Sequence, residues 1–213
     1  VLDFVKEIGA KLIVSVANCP GLHTAEEPWN PSEAEKLFSL SKEYGVPIDA
    51  AEFANEPNMM EETGFPKGYT PEHYRRDQDL FFKWLRENYP ECICVGPSTT
   101  GGDDITFGKG GDSAVGGIEQ LMPETCDCAD LLDGTTEKLD VFSYHYYNGV
   151  SERLASVMPT AHWDASEANT EEYLAVAPHC ARIYAPIRDK YVPGGDRIRR
   201  CRRRRRHLGV YLP

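Results

Sequence analysis

Two stretches of the chain have residue types that can do chemistry. The first is Phe53-Ala54-Asn55-Glu56-Pro57-Asn58, where a short apolar run, 48–53, empties onto a carboxylic acid. The second is Tyr144-His145-Tyr146-Tyr147-Asn148-Gly149, dense in hydrogen-bonding aromatics. A carboxyl group presented at the end of a strand can give or take a proton, and aromatic rings stack on sugars. Pro57 fixes its own φ, removes an N–H and biases Glu56 towards an extended backbone, so the acid is expected at the rim of a sheet. Asn18 stands in the same way where the run 11–17 leaves into Cys19-Pro20-Gly21. On the residues alone, Asn-Glu-Pro is equally a turn carrying a solvated glutamate. Period-two alternation also turns some of the aromatics around His145 towards a helix layer.

These groups need a scaffold, and the pattern of the chain supplies one. Apolar runs at 11–17, 48–53, 91–96 and 139–145 read as strands, the second preceded by Gly45-Val46-Pro47. Between them lie helical segments. One opens at Asn30-Pro31-Ser32-Glu33 and closes at Gly45, with Leu37, Leu40 and Tyr44 as its buried stripe; another is capped by Thr70-Pro71-Glu72 and runs to about Asn88. A further helix falls between Gly117 and Leu132, and 170–191 reads as a helix interrupted at Pro178. A first segment ends at Gly9 as its C-cap. Strands spaced by helices four times over predict an α/β fold with about four parallel strands and outer helices, with polar groups collecting at the carboxyl ends of the strands.

Composition bounds the function further. The 213 residues carry a net charge of -11, but eight arginines fall between Arg197 and Arg206. Residues 1–195 hold 15 Lys+Arg against 33 Asp+Glu, a balance of -18. A body that acidic repels polyanions and anionic membrane surfaces, so nucleic acid is not expected as a partner. No apolar run approaches 18 residues, so no membrane span is expected. The segment Gly108-Lys109-Gly110-Gly111 fails the phosphate-loop spacing, since Asp103 stands five residues before Gly108 and no Ser or Thr follows the lysine. Seven cysteines, with Cys92-x-Cys94 and Cys126-x-Cys128 spacings, match neither a zinc site nor a disulfide scaffold. They read as mostly free thiols, which favours a cytoplasmic over a secreted setting. The chain starts at Val1 without a leader segment and reads as a fragment.

Taken together, the residues resemble the heparanase-like, β-glucuronidase-type glycoside hydrolases of the large retaining barrel clan. The resemblance is carried in order by 12–18, Trp29-Asn30-Pro31-Ser32, the Asn55-Glu56-Pro57-Asn58 segment, Gly96-Pro97 and the Tyr144-to-Gly149 segment, and it covers 1–195. It implies a partial (β/α)8 barrel with Glu56 as general acid/base, Asn55 contacting the sugar beside the reacting carbon, and Tyr146 positioning the nucleophile. Asn18, Tyr144, His145 and Asn148 are implied in substrate binding, with no cofactor and no metal. Where the heparanases proper have His-His-Tyr-Tyr, this chain has Tyr144 in the first place. Retention needs a raised pKa on the acid and a second carboxylate about 5 to 5.5 Å away. The family's nucleophile is a glutamate on a later strand, expected after Pro193-Gly194-Gly195, yet no Glu follows Glu172 and the chain continues Asp196-Arg197-Ile198. The expectation is a partial catalytic domain, 1–195, followed by an Arg-rich tail, 196–213, with the look of a shifted reading frame and no activity of its own.

The implied substrate is a β-glucuronide or a glycan containing uronic acid. The acidic body and the rim segment Gly101-Gly102-Asp103-Asp104 favour small or unsulfated ones, because carboxylates oppose sulfates. Two other readings stay open: a non-catalytic carbohydrate-binding remnant, and nucleic-acid binding through the Arg tail. That tail has neither interleaved aromatics nor a reading module beside it.

Overall fold

The computed structural model describes residues 1–100, 103, 125–157 and 159–193. The Arg-rich tail, the Gly108 segment and Asp104 lie outside the described residues. The chain order is α1 (Leu2–Ile8), β1 (Leu12–Val16), α2 (Ser32–Glu43), β2 (Ile48–Phe53), α3 (Pro71–Asn88), β3 (Ile93–Thr100), α4 (Cys128–Leu132), β4 (Val141–His145) and α5 (Glu171–Tyr191). The four strands form one sheet in the order β1-β2-β3-β4, every pair parallel. Four parallel strands in sequence order with flanking helices are an α/β architecture consistent with part of a (β/α)8 barrel.

The sequence logic of these elements is visible in their ends. Gly9 closes α1 at φ 62, a left-handed conformation that costs glycine least. Pro71 starts α3, and His73 Nδ1 accepts from the Thr70 N–H at 3.1 Å. α5 runs unbroken through Pro178 and Pro186. The interruption expected at Pro178 is therefore corrected: the carbonyl that loses its donor is that of exposed Leu174, where water can serve it.

The main core lies between the sheet and its helices. Trp29, Phe53 and Phe81 meet edge to face or tilted at 5.4 to 6.1 Å, and Phe38 and Trp84 extend the cluster. Phe53, Phe81, Phe82 and Leu85 are almost completely buried. α2 is turned differently from expectation. Ala34, Phe38 and Ser41 face inwards, while Leu37, Leu40 and Tyr44 are 39%, 51% and 43% exposed. Phe38 wins the inward place because it alone reaches the Trp84 and Tyr89 rings, at 5.3 and 4.8 Å.

Burial also sets the thiols. It pushes Cys92 and Cys126 up to about 12, and Cys128 and Cys180 are raised too. Cys19 is part-exposed. Because the thiolate is the reactive form, iodoacetamide at pH 8 should modify Cys19 first among these five cysteines, with Cys92, Cys128 and Cys180 reacting only on unfolding. Peptide mass mapping along a labelling time course checks this, and early labelling of Cys128 would contradict the packing.

Candidate active site

The inner face of the sheet carries a polar row across all four strands. Ser15 on β1 donates to Glu52 Oε1, Ser98 on β3 donates to Glu52 Oε2, and the Ser98 and Ser143 hydroxyls lie 2.6 Å apart. Parallel registry makes the row, since Ser15 pairs with Glu52 and Ser143 with Pro97. The pairing of β3 with β4 shifts between Pro97 and Thr99, where Ser98 takes φ 56. That bulge turns Ser98 to Glu52 and still leaves Thr100 opposite His145.

One step beyond Glu52 on β2 lies the exit. Ala54 and Glu56 have φ 64 and 48, so the extended backbone expected at Glu56 from Pro57 is corrected to a left-handed one. A tight turn imposes it, with the Met59 N–H donating to the Glu56 carbonyl at 3.1 Å. Buried Asn58 clamps the turn to β3: its Nδ2 donates to the Thr100 carbonyl at 2.8 Å and its Oδ1 accepts from the Thr100 N–H at 3.0 Å. Two non-glycine residues in the left-handed region store strain, which is commonest where side chains must be aimed.

What is aimed is the Glu56 carboxylate. His145 Nδ1 donates to Glu56 Oε1 at 2.8 Å, and the Tyr147 hydroxyl approaches the same oxygen at 3.3 Å. The His145 hydrogen bond, followed against it by burial and then with it by the histidine's charge and the Tyr147 bond, holds Glu56 below its ordinary carboxylate value. The raised value expected of a general acid is not present, for the physical reason that a donor occupies the carboxylate. Glu56 in turn helps burial to push Tyr147 up. The folded-state value lies below the unfolded one, so this contact stabilises the fold above the ordinary carboxylate range. The contribution fades as pH falls through the depressed value.

The other candidates divide. His145 joins Glu56, and Asn55 is exposed at the rim beside it. Tyr144 faces the other way: its ring stacks on Tyr184 of α5 with centroids 4.0 Å apart. Strand alternation that brings His145 inwards turns Tyr144, expected among the substrate contacts, towards α5. Tyr146 donates to Asn148, whose Nδ2 donates to the Tyr173 carbonyl at 3.2 Å, and Tyr146 packs against the cluster of Cys128, Cys180 and Tyr184. This pair braces the exit of β4 against α5.

Asn18 leaves β1 buried and is held by His23, whose Nε2 lies 2.6 Å from its amide. His23 Nδ1 sits 2.9 Å from two carbonyl oxygens, those of Thr24 and Glu27, and so carries the proton. Nε2 meets the Asn18 amide oxygen. The rim acid Asp103 is also committed, since both its oxygens accept from the Cys128 N–H at 3.1 and 3.2 Å, at the start of α4. Sequence reasoning passed over Tyr147, Asn58, His23 and Glu52. Tyr147 was findable by parity, two residues after His145, and Glu52 by being a charged residue inside an apolar strand.

Among the described residues no group of three or more His, Cys, Asp or Glu side chains could hold a metal, and no helix is long and apolar enough to cross a membrane. No protein-family model matches the chain, and no curated protein matches it. Among solved structures it is similar to the GH family 44 endoglucanase Cel44A from Clostridium thermocellum, at 15% sequence identity and a TM-score of 0.47. The match covers 91% of this chain and 51% of that one, so the chain spans about half the length of that enzyme.

Proposed function

We propose that the chain carries the acid/base half of a retaining glycoside hydrolase site, with Glu56 acting on the glycosidic oxygen of a β-glucuronide. The observation that supports this is the Glu56 carboxylate at the carboxyl end of β2, clasped by His145 and Tyr147 from the exit of β4. Held ionised, Glu56 is in the state that takes a proton from an attacking water. The proton-giving state is reached when negative charge comes beside it. A second carboxylate about 5 to 5.5 Å away raises its pKa by like-charge repulsion until the two share a proton. The resemblance to β-glucuronidase-type hydrolases supports the uronic-acid substrate, and the acidic body supports an unsulfated one.

The test supplies the second group from solution. With azide, nitrogen attacks C1 as the C1–O bond breaks, the bonding pair leaves with the aglycone oxygen, and Glu56 delivers its proton there. The expected result is azide-dependent phenol release from 4-nitrophenyl β-D-glucuronide, with α-glucuronosyl azide as product, faster than from the matching β-glucoside. Equal rates on the two glycosides would remove the uronate preference. No release from either, with or without azide, would contradict the hydrolase reading.

A further inference from the structure

Strand pairing stops short of Glu56. The last residues paired between β2 and β3 are Glu52 and Val95, so the ladder itself does not hold the exit on which Glu56 stands. Local sequence opposes the conformation found there. Pro57 biases the residue before it to an extended backbone, yet Glu56 takes φ 48, with Ala54 at φ 64 two residues earlier. The turn has bonds of its own, from the Met59 N–H to the Glu56 carbonyl at 3.1 Å and from the Thr63 hydroxyl to the Met59 carbonyl at 2.7 Å. They shape the turn but do not join it to the sheet.

Asn58 makes that joint. It is completely buried, and its amide meets both backbone groups of Thr100, at 2.8 and 3.0 Å, as the peptide groups of a neighbouring strand would. Its own carbonyl accepts from the Cys126 N–H at 3.1 Å, which fastens the turn to the segment before α4 as well. An amide is needed because it carries a donor and an acceptor together. A carboxylate would set a second acceptor against the Thr100 carbonyl, and an apolar side chain would strand both Thr100 groups. Thr100 is also the residue that β3 pairs with His145. A closed circuit results: Asn58 grips Thr100, Thr100 is in register with His145, and His145 Nδ1 donates back to Glu56 at 2.8 Å, two residues from where the circuit began. Glu56 and His145 are thereby held together although β2 and β4 are not neighbours in the sheet.

We propose that Asn58 is a positioning residue of the site: by keying the exit of β2 to the residue paired with His145, it fixes where the Glu56 carboxylate points. It touches no substrate and acts through Glu56. The effect on turnover rests on the glycosidase reading, whereas the aim of the carboxylate is read without any substrate. Without Asn58 the turn follows the bias of Pro57 towards an extended backbone and carries Glu56 away from His145 and Tyr147.

The test reads the ¹³C pH titration of the Glu56 carboxyl and the azide-supported release of phenol from phenyl β-D-glucuronide in the unaltered chain, in Asn58→Ala and in Asp77→Ala. In Asn58→Ala the carboxylate loses the His145 bond and its burial together, so its midpoint should rise to the ordinary 4.5. Turnover should fall about 10²-fold with KM held within about twofold, the scale of a reacting group misplaced by about 1 Å. Asp77→Ala costs stability through the Trp29 N–H and the Tyr69 hydroxyl, away from this turn, and should leave the midpoint where it is. Asn58→Ser, which fills part of the space but is too short to grip both Thr100 groups, serves in the same way should the alanine variant fail to fold. An unchanged midpoint on loss of Asn58, whatever the rate, would overturn the positioning role, and so would an equal shift in Asp77→Ala. A shifted midpoint in a chain that releases no phenol before or after the substitution would keep Asn58 as the residue that aims Glu56 and overturn the glycosidase reading instead.

Discussion

Glu56→Gln is expected to slow azide-supported cleavage of phenyl β-D-glucuronide by about 10² to 10⁴, the usual worth of a positioned proton donor. The same change should alter cleavage of the 2,4-dinitrophenyl glycoside only a few-fold. The asymmetry follows from the leaving oxygen: a phenoxide needs a proton as the bond breaks, and a dinitrophenoxide does not. Glutamine preserves the shape of the side chain and can still meet His145 and Tyr147, so the 2.8 and 3.3 Å contacts are not simply abolished. Equal losses on both substrates would mean that Glu56 maintains the rim and does not transfer a proton.

Asp77→Ala should destabilise the fold by about 2 to 4 kcal/mol, because it removes a buried carboxylate and leaves the buried Trp29 N–H and Tyr69 hydroxyl without their acceptor. The Asp77 side chain is fully buried on α3 and accepts from Arg76 Nε at 2.7 Å, from the Trp29 N–H at 3.0 Å and from the Tyr69 hydroxyl at 2.8 Å. Arg76 also bonds the carbonyls of Ala25 and Glu27 at 3.0 and 3.3 Å, so one carboxylate ties down the loop that brings Trp29 into the core and His23 onto Asn18. Urea denaturation checks the magnitude. A loss below about 1 kcal/mol, the scale of an exposed ion pair, would show that the loop does not depend on Asp77.

The strand at 48–53 was legible in full because an apolar run between Pro47 and Asn55 leaves no competing period. β3 starts two residues and ends four residues later than expected, because Ser98, Thr99 and Thr100 extend it through a bulge that no composition rule announces, while β4 starts two residues later and ends at His145 as expected. α2 failed for a different reason. Its sequence offers two stripes, Phe38 with Ser41 and Leu37 with Leu40 and Tyr44, and only the aromatic cluster of Trp84 and Tyr89 chooses between them. Glu56 was legible as the reactive group but not in its charge state. His145 lies 89 residues away, and a hydrogen bond across two strand ends has no local signal. Tyr144 shows the limit of reading a motif as a unit, because neighbours on a strand face opposite ways.

The central claim is that His145 sets the charge state of Glu56 across the carboxyl ends of β2 and β4. Its most direct measurement is the ¹³C NMR pH titration of the Glu56 carboxyl in the unaltered chain and in His145→Ala. The unaltered chain should titrate below 4.5, the ordinary glutamate value, because its strongest influence is the histidine's hydrogen bond. In His145→Ala, burial becomes the strongest influence remaining, and the midpoint should move up. An unchanged midpoint, or one that falls when the histidine is removed, would contradict the account.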